Sequence, residues 1–232
     1  MHNYLYLIIN IISVLPPFAL SFDKKVSFFR KWKFLFPAII IVAIPFLIWD
    51  QLFTQYGIWG FNPKYLSGIY LFNLPVEEVM FFFTIPYACV FTYEVLKVYI
   101  SKNIVGKKTS NIISSLLILI LSIAFVTFFN NIYTSITSIS LILFIFLFQY
   151  VIKFNQLGKF YFSYLIILFT FLFVNGILTG SFIEEQIVWY NNSENMSIRL
   201  FTIPVEDIFY GMLLILLNVF LFEKFQKIKS IN

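Results

Sequence analysis

The sequence predicts an all-α polytopic membrane protein, in which seven transmembrane helices form two parallel three-helix repeats joined by a linking helix. Composition is the first reason, because 60% of the 232 residues are hydrophobic and only 12% are charged. Mean hydropathy is +0.89, outside the range of soluble globular proteins. The second reason is an octapeptide that starts at Leu71 and returns in similar form at Leu200, each time ahead of a long apolar stretch.

Apolar windows of about 20 residues place the seven spans along the chain. They lie near residues 4–20, 34–53, 76–98, 112–129, 132–152, 160–178 and 201–222. The first span contains Pro16 and Pro17 and has no small-residue cleavage site, so we expect a retained helix. A removable signal peptide is the alternative for this segment.

The two octapeptides head the third and seventh spans, so both spans enter the membrane from the same face. Two three-helix units share one orientation only if an odd number of spans joins them. We therefore expect a first unit at residues 1–105, a linking helix at 106–131 and a second unit at 132–232.

Lysine and arginine are distributed unevenly between the two sides of the predicted bundle. One side collects fourteen of these residues, among them Lys229, and the other side has only Lys64 and Arg199. The positive-inside rule makes the first side cytoplasmic, which puts the N-terminus outside and the C-terminus inside. We expect a bacterial or archaeal cell membrane. The net charge of +5 suits anionic lipid headgroups and gives no reason to expect a nucleic-acid partner.

The cysteine and histidine content limits the metal and redox chemistry that the chain can support. Cys89 is the one cysteine and lies in an apolar run, and His2, the one histidine, lies at the terminus. We expect no functional role for either residue. Neither a disulfide framework nor a metal site built from histidine and cysteine is therefore expected.

Each octapeptide ends with two acids that follow a Pro-Val pair. Proline suits the first helical turn, because the amide it lacks has no partner there, so we expect helices to start at Pro75 and Pro204. Free amides and the helix dipole stabilise acids in the first turn, and helix capping is one interpretation. Neighbouring phenylalanines instead favour the neutral acid, and a carboxyl that keeps its proton in an apolar cavity is a general acid.

Four segments form a specific combination. They are Pro-Val-Glu-Glu at 75–78 with Phe81 and Phe82, Pro-Val-Glu-Asp at 204–207 with Tyr210 and Gly211, Trp49 with Asp50, and the stretch 175–180 that begins with Asn175. In this combination the chain resembles the membrane-integral lycopene cyclase family over nearly its whole length. The two related units of that family occur as separate bacterial subunits or fused in one chain, as in archaea and fungi.

The resemblance implies a lycopene β-cyclase, a non-redox isomerase (an intramolecular lyase) that closes the linear ends of lycopene into ionone-type rings, giving γ-carotene and β-carotene. A carboxylic acid would protonate the terminal double bond, the internal alkene would attack the resulting cation, and a base would remove a ring proton. The implied catalytic residues are Glu77, Glu78, Glu206 and Asp207. The implied substrate-binding residues are Asp50, Trp49, Phe81, Phe82, Asn175 and Tyr210.

Lycopene and membrane lipid are the expected partners, and a homo-oligomer or association with other carotenoid-pathway enzymes stays open. No cofactor is expected, since no Gly-x-Gly-x-x-Gly motif follows a strand. Which acid donates the proton, and whether the two acidic motifs form one cavity or two, is not decided by the sequence.

The main alternative is a small-solute or proton-coupled transporter, because parallel repeats and intramembrane acids also build carriers. Pro45 and Pro86 lie within spans, as hinges in such carriers do. A retinal-binding protein is disfavoured because the last span, 201–222, has no lysine for a Schiff base. Glu94 and Lys97 are spaced three residues apart, which favours an interfacial ion pair.

Overall fold

The computed structural model describes residues 4–100, 102 and 104–231, with side chains up to residue 228. His2 and the side chain of Lys229 lie outside the described residues. The described chain is mostly helical, and short strands lie in the connections after α2 and α6. The helices are α1 (Leu5–Leu20), α2 (Trp32–Gln55), α3 (Val76–Tyr99), α4 (Lys107–Thr127), α5 (Ile132–Phe146), α6 (Leu157–Leu178) and α7 (Val205–Ile231).

Within the described residues, six helices are long and apolar enough to cross a membrane, namely α2 to α7, with α5 extended by a π-helical turn at Leu147–Val151. These six correspond to predicted spans. The first helix, α1, is apolar but has 16 residues, fewer than the roughly 20 of a usual span. It is the one predicted span that length and composition leave open.

A short β-hairpin precedes both α3 and α7, which the sequence patterns did not predict. The residues at the two tips, Phe72 and Phe201, have φ values of 55° and 57°, and both side chains are exposed. The octapeptide repeat is therefore a repeat of local structure as well as of sequence. The strands are β2 (Tyr70–Leu71) paired with β3 (Leu74–Pro75), and β5 (Arg199–Leu200) paired with β6 (Ile203–Pro204).

The hairpins shift the helix starts by one residue from the predicted prolines. Pro75 is extended, with φ −64° and ψ 146°, and α3 begins at Val76. The amide of Val76 donates to the carbonyl of Ile69 at 2.9 Å, a bond that proline cannot make because it has no N–H. The seventh helix likewise begins at Val205 and not at residue 201.

A two-stranded ribbon joins the connection after α2 to the connection after α6. Strand β1 (Trp59–Phe61) pairs antiparallel with β4 (Val188–Tyr190). Gly60 lies opposite Trp189, and a Cβ atom added at Gly60 would be 2.4 Å from the indole ring. Glycine is therefore needed where the Trp189 ring lies against the backbone of the neighbouring strand.

Four helices, α2, α3, α5 and α6, pack against α7. First-turn acids of α3 and α7 consequently lie in the same part of the bundle. At the other ends of these helices the predicted Glu94–Lys97 pair is present at 3.6 Å and belongs to a larger buried cluster. Lys31 contacts Glu94, Lys97 lies 2.5 Å from Glu223, and Tyr93 donates to Glu223 at 2.8 Å.

Candidate active site

A cavity of about 560 Å³ lies between the two helix starts and is lined mainly by apolar and aromatic side chains. Three carboxyls line it: Asp50 on α2, Glu78 on α3 and Asp207 on α7. All three residues are buried. Acids from both copies of the repeated motif therefore face one shared cavity, within the size range of small-molecule sites.

Glu78 accepts a hydrogen bond at Oε2 from the hydroxyl of Tyr6 on α1, which is its one donor among the described residues. Tyr6 is almost fully buried. The amide of Asn10, one helical turn further along α1, donates to the backbone carbonyl of Glu77 at 3.0 Å. The first helix is thus fixed to the first turn of α3 by two polar contacts.

Asp207 is held by three donors. The hydroxyl of Tyr133 donates to Oδ1 at 2.6 Å, while the amide of Asn175 and the hydroxyl of Tyr190 donate to Oδ2 at 2.7 and 2.9 Å. Burial raises the pKa of Tyr190 well above its usual value, and the Asp207 carboxylate raises it further. Tyr190 therefore keeps its proton and acts as a donor. Three donors favour the ionised form of the carboxyl that accepts them.

Within the described residues, Asp50 accepts from one donor and has one oxygen without a hydrogen-bond partner. The indole N–H of Trp59 donates to Oδ1 at 2.5 Å, and the buried Oδ2 has no hydrogen-bond partner. The Asp50 and Glu78 carboxyls interact electrostatically. The hydroxyl of Tyr210, also on the cavity wall, is buried and has no hydrogen-bond partner in the described part of the chain. It interacts electrostatically with all three carboxyls.

Glu77 and Glu206, the first acids of the two motifs, do not line the cavity. Each is buried, and each accepts a hydrogen bond at 2.7 Å from a backbone amide ten residues earlier in the chain. Those amides belong to Ser67 and Met196. Glu206 also accepts from the hydroxyl of Thr134 at 2.6 Å. Glu77 and Glu206 thus bind corresponding backbone amides in the two loops that lead into the hairpins.

A family model described as lycopene cyclase matches residues 3–96 and 130–225. The chain belongs to the lycopene cyclase family. The two matched segments each contain one hairpin and one acidic motif, and the unmatched part between them contains α4. Comparison with curated proteins and with solved structures gave no match. Family membership supports cyclisation of lycopene in carotenoid biosynthesis and does not support the transporter alternative.

The substrate-binding residues expected for a member of this family divide into two groups. Asp50, Asn175, Phe81 and Tyr210 line the cavity. Trp49 and Phe82 lie behind its wall. The ring of Trp49 packs edge-to-face on Tyr210, with centroids 5.1 Å apart. Phe82 is almost fully buried and packs edge-to-face on Phe81, with centroids 6.2 Å apart.

Sequence patterns did not identify the tyrosines whose hydroxyls donate hydrogen bonds to Glu78 and Asp207. Tyr6 lies in the first helix and Tyr133 near the start of α5, and each donates to the second acid of its motif. The sequence separations are similar, 72 and 74 residues. Aligning each motif with the helices before it would have paired Tyr6 with Tyr133, but a tyrosine near a helix end is most simply explained as an interfacial aromatic.

Proposed function

We propose that this protein is a cofactor-independent lycopene β-cyclase that forms ionone-type rings by acid–base chemistry at one site. The observation that carries the proposal is an apolar cavity whose wall holds Asp50, Glu78 and Asp207 together. A hydrocarbon substrate needs an apolar cavity, and its cyclisation needs one group that gives a proton and one that takes a proton. Carboxyls in differing surroundings supply both roles.

The pair formed by Asp50 and Glu78 is proposed as the acid. Two interacting carboxyls in an apolar site do not both ionise readily, so the pair retains a proton. Among the described residues each accepts one hydrogen bond within the usual distance, from Tyr6 or from Trp59, which is fewer than the three that Asp207 accepts and leaves less to stabilise a second negative charge. The proton passes from the pair to the terminal double bond of lycopene, and a tertiary carbocation forms.

Asp207 is proposed as the base. Its three donors stabilise the carboxylate before the substrate arrives. Once the internal double bond has attacked the cation and closed the ring, Asp207 removes a ring proton and a new double bond forms. The proton taken equals the proton given, so the product is an isomer of the substrate. The β ring is proposed from the family resemblance, since ring type depends on which proton leaves.

Aromatic side chains are proposed to stabilise the cation during ring closure. Trp59, Phe81 and Tyr210 line the same cavity as the three carboxyls. Their ring faces attract positive charge by about 0.5–2 kcal/mol each, and more strongly where water is absent. Asn175 is proposed to position Asp207, to which it donates.

Glu77 and Glu206 are proposed to position the loops and not to touch the substrate. Each accepts a backbone amide from the loop that precedes its hairpin, and neither faces the cavity. The repeated acidic pair would then combine one structural acid with one reactive acid in each unit.

The membrane arrangement is proposed from the apolar spans and from the distribution of lysine and arginine in the sequence. We propose that α1 is the seventh span and that the units are residues 1–105 and 132–232, joined by the helix within 106–131. The hairpins and the β1–β4 ribbon would face the outside, with the C-terminus in the cytoplasm, because lysine and arginine collect at the opposite helix ends. The cell membrane of a bacterium or archaeon is the proposed location.

Expression in a bacterium that accumulates lycopene tests the proposed function. We expect ringed carotenoids from the wild-type chain, and unconverted lycopene from Glu78→Gln and Asp207→Asn at equal membrane levels. Glu184→Gln is the matched control, because it removes an acid from an exposed side chain in the outer loop. Unconverted lycopene with well-inserted wild-type protein would refute the proposal.

A further inference from the structure

The cavity continues beyond the three carboxyls as a groove along α3. Its floor is formed by Ile85, Ala88, Cys89 and Thr92, which lie on one face of the helix. The distance from Glu78 to Thr92 along α3 is about 21 Å at the usual helical rise. The groove therefore runs across much of a hydrocarbon layer that is about 30 Å thick.

The β1–β4 ribbon covers the groove at its carboxyl end, and the groove is open between α1 and α6. The β1–β4 ribbon contributes Trp59 and Tyr190 to the wall at the carboxyl end. Among the described lining residues, the exposed ones all belong to α1 or α6, and these two helices make little contact with each other. The exposed residues are Ile12 and Pro16 on α1, and Phe169, Thr170 and Phe173 on α6.

Exposure of large apolar side chains within apolar helices indicates a surface that faces lipid. Ile12, Phe169 and Phe173 are 63%, 73% and 63% exposed, and they form the two rims of the opening. A hydrophobic substrate dissolved in the bilayer would reach the acids through this side without crossing water. The opening is apolar throughout, apart from small hydroxyl groups such as that of Thr170.

From this shape we infer that the groove binds one arm of the polyene, end first, while the other end of the molecule remains in the lipid between α1 and α6. An extended forty-carbon polyene is longer than the groove, so its far end lies outside the protein. The three carboxyls form one reacting centre. Each binding event therefore closes one ring, and the site does not distinguish a linear far end from a ringed one.

This inference rests on the proposed function and adds a consequence to it. A monocyclic carotenoid leaves the site after the first ring closes, mixes with the bilayer pool, and rebinds by its remaining linear end. The bicyclic product then forms through a free intermediate, at a rate for the second ring close to the rate for the first.

The test uses the full-length protein in lipid vesicles with lycopene or with its monocyclic product as the sole substrate. We expect kcat/KM per linear end to agree within about threefold between the two substrates. Isotope-labelled lycopene with unlabelled monocyclic carotenoid should give labelled monocyclic product in the common pool. A monocyclic substrate converted more slowly than this, or label that passes directly into the bicyclic product, would overturn the inference. If neither substrate reacts, the proposed function itself fails.

A groove variant supplies the second measurement. Ala88→Phe fills the floor of the groove below the acids and should lower kcat/KM for both substrates by the same factor, about tenfold or more. Ala124→Phe on α4 is the matched control, since Ala124 is also partly exposed and does not line the cavity. If Ala88→Phe does not insert, Thr92→Leu makes a smaller obstruction at the same wall. Unchanged rates in a well-inserted groove variant would contradict binding of the polyene arm there.

Discussion

Replacing Glu77 and Glu78 separately by glutamine is the sharpest way to distinguish a structural acid from a reactive one. The residues are neighbours in the first turn of α3, and both are buried. Glu77 accepts the amide of Ser67 at 2.7 Å, and a hydrogen bond to a charged acceptor contributes about 1.5–3 kcal/mol. Glutamine keeps a neutral acceptor, so we expect Glu77→Gln to lower the free energy of unfolding by about 1 kcal/mol and to leave most of the activity per folded molecule.

Glu78→Gln should have the opposite profile. Its side chain still accepts from Tyr6, and the amide is neutral, as is the protonated member of the Asp50–Glu78 pair, so stability should change by less than about 1 kcal/mol. Loss of a general acid lowers the rate by about 100- to 10,000-fold. The assay is the initial rate of ring formation per folded protein in vesicles, together with thermal unfolding in detergent. Equal losses of rate in the two variants, at equal folded levels, would refute the division of roles.

Three further predictions concern Asp207, Gly60 and Glu223. Asp207→Asn keeps a carbonyl oxygen that can accept from Asn175 and Tyr190, and its new NH2 group can donate to the hydroxyl oxygen of Tyr133. We therefore expect unchanged membrane levels with a rate at least about 100-fold lower, measured in the same vesicles. Gly60→Ala forces a Cβ into contact with Trp189, so we expect the free energy of unfolding to fall by about 1–3 kcal/mol and tryptophan fluorescence to shift. The control is Gly106→Ala, where a Cβ meets open space, and it should leave stability and fluorescence unchanged. Glu223→Gln removes one carboxylate from the buried charged cluster and should lower the free energy of unfolding by about 2 kcal/mol. The loss is smaller than for a fully buried ion pair, because the lysines are partly exposed. An unchanged thermal midpoint would contradict a stabilising role for the cluster.

Long apolar segments were the part of the fold that the sequence predicted well. A run of about 20 apolar residues has few alternatives to a membrane helix, and six such runs are helices that begin and end near the predicted residues. The hairpins were not predicted, because their strands are two residues long and an aromatic residue adopts positive φ at each tip. Phenylalanine rarely adopts that conformation, so local propensity gave no signal for a turn there.

Pairing between distant loops lay equally outside the sequence patterns. The β1–β4 ribbon joins segments whose central residues, Gly60 and Trp189, are far apart in the chain. Its strands are three residues long, too short to show an alternating pattern.

The candidate site was predicted as a set of residues and not as an arrangement. Repetition of the acidic pair pointed to Glu77, Glu78, Glu206 and Asp207, but adjacent acids in a first helical turn look alike in sequence. Only the structure shows that one member of each pair accepts a loop amide while the other faces the cavity. The shared cavity depends on how α3 and α7 pack, which is a tertiary property.

Mass measurement of the product formed in heavy water tests the central claim most directly. Purified protein in lipid vesicles, with lycopene as the sole substrate and no added redox cofactor, should give ringed carotenoids with the mass of lycopene in ordinary water. In heavy water, enzyme acids that have exchanged with solvent should place deuterium in the newly formed rings and not in lycopene that remains linear. Rings that lack deuterium throughout, or a product whose mass in ordinary water differs from that of lycopene, would contradict acid–base cyclisation by the carboxyls of this cavity.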